Sequence, residues 1–115
     1  MKEKILDLEN IIREIESVYT LVCYGNRKEG FDTLTKLMPR LSLKLGEFLD
    51  SAEKFKNMGV DIPEDVIIQQ IHNLAEALES RDSILLTDTL NYEIKNTLLF
   101  YIDIIRELEK ENIVV

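Results

Sequence analysis

One cysteine, one histidine, two prolines and four glycines are all that this 115-residue chain holds of the residues that build disulfides, metal centres and turns. Cys23 alone cannot form an intrachain disulfide, which fits a reducing compartment. His72 alone cannot supply the paired Glu-x-x-His motifs of a carboxylate-bridged dimetal bundle, and Gln69 stands three positions before it. So few turn formers favour a few long helices over many short strands. No glycine-rich phosphate loop and no metal-spaced Cys/His cluster occurs. Clustered positive charge is also lacking, and a net charge of −8 repels phosphate backbones, so no nucleic-acid partner is expected. The longest apolar run near the C-terminus, residues 98–102, is far short of the ~20 residues of a membrane span. Asp7, Glu9, Glu14 and Glu16 interrupt the first segment, leaving no uncharged signal-peptide core. The expectation is a cytoplasmic protein that does not bind membrane.

What is present is apolar periodicity. Leu8, Ile11, Ile12, Ile15, Val18, Tyr19 and Val22 recur at three- and four-residue steps, the spacing of one helix face. That spacing predicts a helix over 3–24, stopped by Gly25, with Asn26 placed to cap the next. A second helix over 27–57 carries Phe31, Leu34, Leu37, Leu41, Leu45, Phe48 and Phe55 on one face. Pro39 inside it removes a backbone hydrogen bond and predicts a kink or break there. Pro63 opens a third helix over 63–80 with the stripe Ile67, Ile71, Leu74 and Leu78, and Asp82 caps a fourth over 82–110. The structure of the tail Ile113, Val114 and Val115 is left open. Four amphipathic helices on short links predict an all-α, single-domain antiparallel four-helix bundle over 1–115. Residues 25–60 carry about +2 while the rest of the chain is acidic, so the second helix can pair with acidic neighbours.

Two acidic pairs invite a catalytic reading. Glu47-x-x-Asp50 and Glu76-x-x-Glu79 have the spacing that holds magnesium in all-helical nucleotide pyrophosphohydrolases, but each pair lies opposite its own helix's apolar stripe and faces water. Helical ribonuclease toxins of this size carry an arginine shortly before a histidine, whereas His72 follows the stretch VIIQQI. Cys23 has neither base nor oxyanion donor beside it in sequence and is expected as a small core residue.

The fourth helix is over-apolar. On a wheel stepped at about 100° per residue, Ile84, Leu90, Ile94, Leu98, Tyr101, Ile102, Ile105 and Leu108 share one broad face. Thr87 and Asn91 fall within that face, as buried residues that set helix register. Leu85, Tyr92 and Leu99 form a stripe on one flank, while Leu86, Phe100 and Ile104 lie on the other. A helix apolar around most of its girth is either wedged among neighbours or covered by a partner. Leu85, Leu86, Tyr92, Leu99 and Phe100 are the candidate partner contacts, with Asp88 and Glu93 as rim charges. No catalytic, cofactor or metal residue is assigned.

The segment ALESRDSILLTDTLNYEIKNTLLFYIDII resembles the closing part of a group of small, uncharacterised bacterial helical proteins, through the D-x-L-x-Y-E-I pattern of Asp88, Leu90, Tyr92, Glu93 and Ile94. Residues 24–41, YGNRKEGFDTLTKLMPRL, are similar to the second helix of that group. Together the two stretches cover about half of the chain and imply an all-helical fold without a transferable activity. More remotely, size and helix arrangement resemble the flagellar export chaperones, acidic bundles that hold the helical terminus of a secreted subunit. That likeness implies a chaperone-like role.

The expected function is a non-enzymatic protein-binding module, a chaperone or adaptor whose fourth helix takes a partner helix or a second copy on its apolar flank. The alternative is a magnesium-dependent nucleotide-processing enzyme in which Asp82, Asp88 and Glu93 converge between helices or subunits. Asp88 and Glu93 stand about 140° apart on the wheel, so one helix cannot aim both at one ion.

Overall fold

The computed structural model describes residues 2–111, and all of its regular elements are helical. Helix α1 spans Lys2–Cys23, α2 spans Arg27–Asp50 and is prolonged by a short α3 over Ala52–Asn57, and α4 spans Glu64–Ser80. The last rod is composite: α5, Ser83–Asp88, passes into a π-helical turn over Thr89–Ile94 and then into α6, Lys95–Lys110. These four rods make an all-α four-helix bundle measuring 45 × 26 × 20 Å, with one helix bent by 39°. Among the described residues no helix is long and apolar enough to cross a membrane. Ile113, Val114 and Val115 lie outside the described residues.

Punctuation in the sequence explains most of the boundaries. Gly25 stops α1 at φ +90, a conformation that costs glycine little. Asn26 occupies the N-cap of α2, but its side chain makes no capping bond, contrary to expectation. Helix α2 continues through Pro39 as one element. Both Pro39 and Thr35, whose carbonyl loses its helical donor, are exposed, so water can satisfy that oxygen. The helix also tightens at Ser51, whose hydroxyl donates to the Glu47 carbonyl at 2.9 Å, before α3 resumes on the same buried face with Ala52 and Phe55. Pro63 sits one position outside α4 and serves as its N-cap. Asp82 caps α5, accepting the Leu85 amide at 3.0 Å.

The preceding corner is unusual, because Arg81 takes a left-handed conformation at φ 58 without being glycine. It is held from both sides. Arg27 donates to the Arg81 carbonyl and to the Ser83 hydroxyl, and both guanidinium groups lie over the Phe31 ring.

Inside the bundle Tyr101 stacks on Phe48 at 4.2 Å, with Phe55 edge-on to both rings, and these aromatics tie the fourth rod to α2 and α3. The chain's basic second rod reaches the acidic first one through Arg40 and Glu14 at 2.6 Å and Lys44 and Asp7 at 3.8 Å. Exposed pairs of this kind contribute little each, about 0–1 kcal/mol, so packing carries the fold. The buried stripe of α4 is Ile67, Gln70, Leu74 and Ala77, while Ile71 and Leu78 are half-buried at its edge. Gln70 belongs to the core because its side-chain oxygen accepts from the Thr97 hydroxyl at 2.7 Å, satisfying two buried polar groups at once.

Candidate interaction surface on the fourth helix

The π turn decides which side chains of the fourth rod reach solvent. Leu86, Leu90, Ile94 and Leu98 are all fully buried and follow one another at steps of four. In a plain α-helix each such step turns the side chain by about 40° past one full turn, so Leu98 drifts by about 120° from Leu86. A π turn holds more residues per turn and takes up that drift. The drift therefore vanishes, and the buried stripe runs straight along the rod.

Several sequence expectations change accordingly. Ile84, grouped with the core face, is 75% exposed. Thr87 and Asn91 are half-buried, and the Thr87 hydroxyl donates to the Ser83 carbonyl of its own helix at 2.9 Å. Thr89 takes the fully buried polar position instead, with no hydrogen-bond partner for its hydroxyl among the described residues. Leu86 is 0% exposed and must be withdrawn from the partner-binding set, because the π turn rotates it into the core. Leu85 is half-buried against the core cluster. The expectation for Cys23 also fails: it is exposed, because it closes α1 beyond Val18, the last fully buried residue of that helix.

Most of the remaining candidates face outward, on two flanks of the rod. Tyr92 is 62% exposed, Leu99 42% and Phe100 38%, while Asp88 is exposed and Glu93 half-buried. Tyr92 and Leu99 border the antiparallel seam with α1. Leu99 and Ile102 share a hollow of about 220 Å³ with Ile12, Glu9, Arg13, Glu16 and Arg106. Lys95 reaches Glu16 at 3.6 Å and Arg106 reaches Glu9 at 3.6 Å, so charged pairs flank the apolar contact along the seam. At its far end the Tyr19 hydroxyl is raised above the ordinary tyrosine range. Hydrogen bonding to the Cys23 side chain comes first among the causes, then that thiol's charge, then Tyr92.

The acids proposed for magnesium are not assembled. Asp82 is engaged as a helix cap, and Glu47 is paired with Lys44 at 3.4 Å. Asp50, Glu76 and Glu79 are exposed, as is His72. Among the described residues no group of three or more His, Cys, Asp or Glu side chains is placed to hold a metal ion.

Sequence reasoning overlooked Met58 and Val60, which flank the fourth rod from the connection between α3 and α4. They belong to no helical stripe, so periodicity carried no signal for them. The register, by contrast, was available in the four-step spacing from Leu86 to Leu98. No known protein family matches this chain, and no curated protein or solved structure shows significant similarity to it.

Proposed function

We propose that the protein acts by association, as a non-enzymatic chaperone or adaptor that presents the outer strip of its fourth helix to a partner protein. The supporting observation is the outward placement of Tyr92, Leu99 and Phe100 on a rod whose other large apolar residues are mostly buried. Two of these are aromatic, the residue class enriched at association surfaces, and Tyr92 and Leu99 lie beside charged pairs that form a polar border. Each side chain stands on a helix packed from behind, so little conformational freedom is lost when a partner covers it.

A photoreactive amino acid placed at Tyr92 or Leu99 in the native cell tests this reading. Irradiation is expected to give a discrete adduct from either position and none from Glu79 on α4, resolved by mass spectrometry. A self-adduct would identify the partner as a second copy. Equal labelling from Glu79, or no adduct from either strip position, would defeat the reading.

A further inference from the structure

The other flank of the fourth rod carries a second surface. Phe100, Ile104 and Leu108 face Met58 and Val60 across a groove of about 480 Å³. Its floor is firm: Ile104 and Leu108 are buried, and Phe100 rests edge-on against the core ring of Phe48 at 6.0 Å. Met58 offers a soft, adaptable wall. Asp103, Glu107 and Glu111, all exposed, line the same groove at four-residue steps. Residues so spaced stand above one another on a helix, here as a column of carboxylates roughly 12 Å long whose middle member, Glu107, also meets Lys110 of its own helix at 3.1 Å in an exposed pair.

We infer that this groove binds a basic amphipathic helix of a partner protein, about two turns of which lie along the column. The inference rests on the association reading above and names the chemistry of the partner. Aliphatic side chains at helical spacing cover Phe100, Ile104 and Met58, and lysines or arginines on the adjoining face of the same helix meet Asp103, Glu107 and Glu111. Charge decides against a second copy of this chain. Two copies laid groove to groove would bring two carboxylate columns together, and like-charge juxtaposition disfavours that complex. A helix matches the repeat of the column, since basic residues at i and i+4 recur at the interval of the carboxylates.

Fluorescence anisotropy of the full chain with designed peptides of roughly 14 residues, long enough to form helix, provides the test. Three are compared: an amphipathic leucine-lysine peptide, the same peptide with glutamate for lysine, and a scrambled leucine-lysine peptide without an apolar face. The amphipathic lysine peptide is expected to bind at least about tenfold tighter than either control, and to weaken with salt. Combined Asp103→Lys, Glu107→Lys and Glu111→Lys changes, all on exposed positions, are expected to reverse the preference between the lysine and glutamate peptides. Amide signals of Phe100, Ile104 and Met58 should shift on binding. Equal binding of all three peptides, or none, overturns the inference. So does binding that appears only after residues 112–115 are removed, which would assign the groove to the chain's own end, or a dimer that the three lysine changes dissolve. Shifts confined to Tyr92 and Leu99 overturn it too, yet leave the association reading standing, which the crosslinks at those positions judge separately.

Discussion

Deletion of Asn91 is expected to leave the protein folded, whereas deletion of Asp103 from the same rod is expected to unfold it. Leu86, Leu90, Ile94 and Leu98 are spaced four, four and four, and the π turn over Thr89–Ile94 absorbs the excess. Without Asn91 the spacing becomes four, three and four, which a plain α-helix holds on one face. The turn can then revert to α-helix while the residues on either side keep their core positions. Asp103 lies in regular α6, where no such slack exists. Its loss rotates Ile104, Ile105 and Leu108 by about 100° out of the core. Three buried aliphatic side chains at about 2–5 kcal/mol each match the whole stability of a typical domain, about 5–15 kcal/mol. Thermal melts followed by circular dichroism should place the Asn91 deletion within about 4 °C of the parent, equivalent to about 1 kcal/mol at this size. The Asp103 deletion should show no cooperative transition. Equal damage from both deletions would mean that the π turn takes up no excess residue.

Replacement of Phe48 by alanine is expected to cost about 3–5 kcal/mol, read from urea unfolding. Phe48 is fully buried, stacked on Tyr101 and in edge contact with Phe55 and Phe100. The Tyr101 hydroxyl already has no hydrogen-bond partner among the described residues, so the neighbourhood has little to offset a void beside it. The effect should extend to the surface, because Phe100 loses its backing and with it the floor of the groove. By contrast Leu99→Ser, at a half-open position, should shift stability by no more than about 1 kcal/mol while weakening association. If Phe48→Ala left stability within that smaller range, the aromatic cluster would not be the centre of the core.

The bundle was legible in the sequence because its evidence is local. Apolar residues repeat at helical steps, Gly25 marks a turn, and Asp82 stands where a helix needs an acceptor for its free amides. The stripes of α1 and α2 obey the α period closely enough that a wheel assigns Leu8 through Val18 and Phe31 through Phe48 to the core. The fourth rod misled because the wheel imposes one period on a helix that uses two. Thr87 and Asn91 were drawn inward and Ile84 with them, while Leu86 was drawn outward. Gln70 was missed for a different reason. Its burial depends on Thr97, 27 residues away, and no local pattern announces that bond. Met58 and Val60 likewise matter only through the tertiary packing that sets them against Phe100 and Ile104.

The register of the fourth rod determines which residues it offers to a partner, and thiol labelling reads that register directly. On a Cys23→Ser background, single cysteines at positions 84, 86, 92 and 99 are allowed to react with a maleimide, and the rates are compared. The π turn predicts fast modification at 84, 92 and 99 and protection at 86, whose native side chain is fully buried. Protection at 84 together with fast reaction at 86 would show an uninterrupted α-helix and contradict the placement of the interaction surface.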